Sequence, residues 1–163
     1  MSERRPWERL RSALHREGPA PAKEPRPLTG VTADGFREWG FLAGLTARQP
    51  EEGLVGVEGA HRLGAVRAYC LVDEAAQSVL GVDVAVTASH PGAVPDLAEL
   101  LLQPVAGALT DPQRAALDTW LRGQLGHRGP YNAVTTLPGL QFAVAIDDAN
   151  PRGRTWSLTT RPT

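Results

Sequence analysis

The side chains able to do chemistry in this 163-residue chain are few and scattered. Cys70 is the single cysteine, and it shares one face of an alternating run with Val66, Ala68 and Val72. A thiol becomes nucleophilic when it is exposed and beside positive charge, so this setting predicts a buried, inert Cys70. The histidines His15, His61, His90 and His127 stand far apart, with no HExxH, no His-x-His and no cysteine pair, so local spacing indicates no metal site and no cofactor. Ser89 and His90, in Ser89-His90-Pro91-Gly92, follow an expected strand and precede a helix start, a position suited to anion binding or catalysis. Asp96 in the next helical turn already answers the positive end of that helix. The stretch Gly126–Asn132 gathers His127, Arg128, Tyr131 and Asn132 into one expected loop. Ser89, His90, His127 and Tyr131 therefore form a candidate ligand-binding set, on the condition that their loops converge on one pocket.

Two further pairs are less promising. Asp147 and Asp148 are neighbours on a strand and point to opposite faces, which keeps them from sharing a metal or a proton. Arg152-Gly-Arg154 beside Trp156 could touch phosphate with the indole as a stacking platform, but one such pair is a short signal. The chain contains no GxGxxG after a strand, no GxxxxGK[ST], no GxSxG, no SxxK and no DxDxDG loop, and Gly53-x-x-Gly56-x-x-Gly59 has the wrong spacing to cradle phosphate. These absences lean away from an enzyme.

The elements that must position these residues are easier to read. Thr32 or Asp34 caps a helix carrying Phe36, Trp39, Phe41 and Leu42. Val66, Ala68, Cys70 and Val72 alternate along one strand and Val82, Val84 and Val86 along the next, with the polar turn Asp73–Gln77 making an antiparallel hairpin. Leu54–Val57 adds a further strand. Pro95 starts a helix burying Leu97, Leu100 and Leu101, and Pro104 ends or kinks it. Asp111 as N-cap, Pro112, and Leu117, Trp120, Leu121 and Leu125 define another helix that stops at Gly126. Phe142, Val144 and Ile146 make a strand, Asp148–Gly153 a turn, and Trp156 and Leu158 the last strand. Strand pairs flanking a helical pair imply an α+β fold: a single domain with a mainly antiparallel sheet of about five strands packed by two to three helices.

The first 28 residues are different in kind, with seven basic and four acidic groups against ten and fourteen in residues 29–163. Composition divides the chain into an arm and Pro-rich linker over residues 1–28 and a globular domain over 29–163. After Pro6, the residues Trp7, Leu10 and Leu14 fall at helical spacing on one face, and Gly18 stops the run. Pro19, Pro21, Pro25 and Pro27 then make a semi-rigid extended spacer. Sixteen of the seventeen basic residues are Arg, which reads as a coding bias. Arg4-Arg5 is followed by charged residues where an export signal needs an apolar stretch, and no run approaches the roughly 18 apolar residues of a membrane span. With one cysteine and no disulfide, a cytoplasmic setting fits.

These features favour a non-catalytic protein-interaction module. In this reading Trp7, Leu10 and Leu14 anchor the arm on a partner protein or a second copy, with Arg9 and Arg11 as steering charges. Three other classes remain: nucleic-acid binding through the basic arm with Arg152 and Arg154, a small enzyme or ligand-binding domain built on Ser89, His90, His127 and Tyr131, and, as the weakest, marginal membrane-surface association through the three apolar anchors and positive charge of the arm.

Overall fold

The structure is a computed structural model that describes residues 27–90, 92–148 and 153–163. Trp7, Arg9, Leu10, Arg11 and Leu14 lie outside the described residues, as does Arg152. Among the described residues, three α-helices, α1 (Ala33–Leu42), α2 (Val94–Leu102) and α3 (Asp111–Leu125), accompany seven strands. The strands are β1 (Thr46–Glu51), β2 (Leu54–His61), β3 (Gly64–Asp73), β4 (Ser78–Ala88), β5 (Tyr131–Leu137), β6 (Leu140–Asp147) and β7 (Arg154–Pro162). They form one antiparallel sheet in the order β1-β2-β3-β4-β7-β6-β5. Two meanders, β1–β4 and β5–β7, are thus joined through the β4–β7 pair, and helices α2 and α3 lie between them in sequence. The fold is α+β and dominated by its sheet. Among the described residues no helix is long and apolar enough to cross a membrane.

The alternating strands use their apolar sides as the sequence requires. Val66, Ala68 and Cys70 of β3, Val82, Val84 and Val86 of β4, Phe142, Val144 and Ile146 of β6, and Trp156 and Leu158 of β7 are all buried in one core. Phe36 of α1, Leu97, Leu100 and Leu101 of α2, and Leu117, Leu121 and Leu125 of α3 close it from the helical side. Helix α1 approaches β2 so closely that a Cβ at Gly40 would stand 2.6 Å from Val57 Cγ1. Ahead of α1, Gly30 has a positive φ of 84° and passes backbone-on-backbone over Gly107, where a Cβ on Gly107 would meet the Gly30 carbonyl oxygen at 2.3 Å. No side chain other than hydrogen fits that crossing.

Three expectations are corrected. The sheet has seven strands, because β1 adds to β2 and β5 adds to β6 as its two edges. Tyr131 and Asn132 open β5 and do not belong to the preceding loop. The N-cap of α3 is Thr110, whose Oγ1 accepts from Gln113 N–H at 3.3 Å while Gln113 Oε1 accepts from Thr110 N–H at 3.0 Å; this reciprocal box leaves Asp111 as the first helical residue. Helix α1 carries Phe36, Trp39, Phe41 and Leu42 as expected, with Phe36 buried and Phe41 and Leu42, about half a turn away, 80% and 76% exposed. Pro104 acts as read. Helix α2 ends at Leu102 and tightens into a 3-10 turn over Gln103–Ala108.

Candidate interaction surface

Cross-strand partners point to the same side of a sheet, so the register defines what the face opposite the helices carries. One row runs across the whole sheet: Arg48, Gly56, Tyr69, Asp83, Thr159, Ala143 and Val134. The next row is Thr46, Glu58, Arg67, Ala85, Ser157, Ala145 and Asn132. Over β4, β7 and β6 the two rows are mostly small or hydroxylated residues that leave the backbone shallowly covered. Near β1–β3 they bear charge and one aromatic ring.

That end has the more definite shape. Gly56 supplies no side chain, and the Tyr69 ring lies across it; a Cβ there would meet Tyr69 Cε1 at 3.1 Å. The ring and its neighbours Arg48, Gln49, Pro50 and Glu58 line a concavity of about 390 Å³ over Gly56. Glu58 pairs with Arg48 Nε at 2.8 Å and lies 3.6 Å from Arg67 Nε, so one carboxylate links two exposed guanidinium groups. Burial raises the Tyr69 phenol above its ordinary value and keeps it protonated. Beside it, Asp83 is only 8% exposed and accepts from Thr159 Oγ1 at 2.8 Å.

Towards the end of the sheet where β2 begins, the same face turns apolar. Leu54, Tyr69 and Leu71 form a second buried cluster with Leu80 packed against it, apart from the main core. A register shift after Leu71 allows Leu80 to join this side. At this end of the sheet Leu28, whose side chain lies in the main core with that of Val79, donates its N–H to the Val79 carbonyl at 2.7 Å.

The residues singled out for chemistry lie elsewhere. Cys70 is buried on the core face, and desolvation pushes its thiol up to about 12, which leaves it neutral and unreactive at ordinary pH. Ser89 and His90 follow β4, Arg154 starts β7, Asp148 follows β6 and Tyr131 starts β5, so the antiparallel order gathers them at one end of the sheet. There His127 stacks on Tyr131 at 3.8 Å between ring centroids, Tyr131 Oη donates to Gln124 Oε1 at 2.7 Å, and Arg154 Nε pairs with Asp148 at 2.7 Å. Arg154 Nη1 also reaches the His127 carbonyl at 3.5 Å, and its guanidinium stands 5.9 Å from the Trp156 ring centre. This end of the sheet is a polar rim whose contacts tie His127, Tyr131 and Arg154 to neighbours, while Ser89 and His90 are exposed. His61 is separate, with its Nδ1 accepting from Leu63 N–H at 3.2 Å. Among the described residues no group of three or more His, Cys, Asp or Glu is placed to hold a metal ion.

No protein-family model, curated protein or solved structure matches this chain. Its function is therefore read from the surface itself. Sequence reasoning missed this surface because Gly, Ala, Ser and Thr on alternate positions look like ordinary solvated strand residues. The signal that could have found it is Tyr69, a large ring on the polar side of an otherwise clean alternation.

Proposed function

We propose that the protein is a cytoplasmic, non-catalytic interaction and assembly module, in which the N-terminal arm docks through Trp7, Leu10 and Leu14 on the open sheet face. The observation that carries this reading is the apolar cluster of Leu54, Tyr69 and Leu71 with Leu80, its first three members only 1%, 7% and 9% exposed on a face where no described helix packs, at the end of the sheet where residue 28 meets β4. Reach is compatible with it: nine residues in a polyproline-like conformation would span about 28 Å at roughly 3.1 Å per residue, close to the width of a seven-stranded sheet at about 4.8 Å per strand. An arm so tethered can cover its own face or that of a second copy, and exchange between copies makes the module an assembly element.

Burying three large apolar side chains contributes about 1.5 to 3 kcal/mol each, much of it offset by ordering a helix of roughly twelve residues. Docking of this kind is weak alone and gains from the tether. The test compares amide NMR spectra of the full chain with those of Leu10→Asp, and mixes differently labelled copies to separate docking within a chain from docking between chains. Shifts confined to Leu54, Gly56, Tyr69 and Leu71 are expected. Unchanged resonances there would remove the reading.

A further inference from the structure

The two edges of the sheet are built differently. β1 is guarded by Arg48 and Glu51, by Pro50, and by a register shift between Arg48 and Glu51. Each of these discourages another strand from adding there. β5, the opposite edge, is Tyr-Asn-Ala-Val-Thr-Thr-Leu: seven residues with no charge, no proline and no break in its register with β6. Val134 at its centre is 57% exposed. Pro130 and Pro138 bracket the strand and set its length.

We infer that β5 is a self-association edge, pairing antiparallel with β5 of a second copy about a twofold axis at Val134, so that two sheets become one. The hairpin geometry selects this centre. Pro138-Gly139 is a two-residue loop, so Leu137 and Leu140 flank it as a hydrogen-bonded pair. By alternation Tyr131, Ala133, Thr135 and Leu137 turn their amides to β6, and Asn132, Val134 and Thr136 turn theirs outward. Centring on Val134 makes every outward-facing residue meet another outward-facing residue. Val134 meets Val134 and Asn132 meets Thr136, giving about six backbone hydrogen bonds across the axis. The side chains agree with this register: valine meets valine, amide meets hydroxyl, and Tyr131 meets Leu137 on the helical side. A shift by one residue would break the amide pairing and a shift by two would leave an end strand residue unmatched, so the register is specific.

Self-association through β5 is independent of where the arm docks, and one set of experiments separates the two. Val134→Cys in the full chain, under mild oxidation, should give a covalent dimer, because paired Cα atoms at about 5.5 Å suit a disulfide. Asn132→Cys alone should not, since its partner is Thr136, whereas Asn132→Cys with Thr136→Cys should. Sedimentation velocity from about 1 to 500 µM should show a weak dimer, and Val134→Lys should raise its dissociation constant at least about tenfold by opposing two ammonium groups. Val134 is largely exposed, so circular dichroism of both variants should match the parent. Adding Leu10→Asp to the Val134→Cys chain should leave the cross-link intact. A monomer at every concentration, a dimer indifferent to Val134→Lys, or cross-linking equal at positions 132 and 134 would each overturn the inference.

Discussion

The contact between Gly40 and Val57 offers the most direct test of how the helical layer is seated on the sheet. A Cβ at residue 40 would lie 2.6 Å from Val57 Cγ1, 3.0 Å from its Cβ and 3.2 Å from its Cγ2, and Val57 is itself buried. Carbon atoms rest at about 3.5 to 4.0 Å, so α1 must lift or Val57 must move by about 1 Å. Alanine gains about 0.8 to 1 kcal/mol over glycine in a helix, whereas overpacking a core site costs about 1 to 3 kcal/mol. Gly40→Ala should therefore destabilise by about 1 kcal/mol, against its helix propensity. Gly123 of α3 is the internal control, because nothing lies within 4 Å of an added Cβ; there the same change should stabilise by up to about 1 kcal/mol. In a Val57→Ala background the 2.6 Å contact vanishes and only the 3.0 Å one remains, so Gly40→Ala should become neutral or stabilising. The double-mutant cycle should thus show a coupling of at least about 1 kcal/mol. Urea unfolding followed by tryptophan fluorescence measures all four combinations. A Gly40→Ala effect that is stabilising in the parent, or identical in both backgrounds, would refute the close-packing argument.

Two other outcomes follow from the titratable groups. Burial, helped by Arg62, lowers the pKa of His61 below 6.5, and its Nδ1 accepts a backbone N–H only when unprotonated. The unfolded chain then binds the proton first as pH falls, so this residue's contribution to stability is intact above about pH 6.5 and declines below it; His61→Asn should flatten that part of a urea-midpoint profile between about pH 7 and 5, and an unaltered profile would count against it. Cys70, with its thiol pushed up to about 12, should ignore Ellman's reagent at about pH 8 in the folded protein and react at the rate of global unfolding in urea; rapid labelling of the native chain would show an exposed thiol instead.

Strands buried on one side announced themselves. The alternations Val66–Val72, Val82–Val86 and Phe142–Ile146 are direct records of a core face, and Thr32 and Gly126 mark helix limits by their local chemistry. β1 left no such record because its first five residues are exposed on both faces, and Thr-Ala-Arg-Gln-Pro-Glu has no apolar side to repeat. β5 was hidden for a related reason: with a neighbour on one side only, it needs no apolar stripe, and its exposed and half-buried positions alternate without changing character. The interaction surface was the least legible part. Asp83 alternates correctly as a polar residue, yet it lies buried between Tyr69 and Thr159, and that neighbourhood depends on β7, far along the chain. His127 and Ser89 share one end of the sheet for the same non-local reason.

The joining of the two meanders through β4 and β7 also sets a temporal order. Thr87 and Thr155, hydrogen bonded across that seam, are 68 residues apart, so the pair is a late and entropically costly closure. During synthesis β1 to β4 emerge first, and β4, the middle strand of the finished sheet, spends that interval as an edge. Asp83 sits at its midpoint on the open side. A carboxyl there discourages a stray strand from pairing in the position of β7, and Thr159, arriving last, supplies the hydroxyl that accommodates it. The buried acid of the mature sheet is thus a guard on the nascent one.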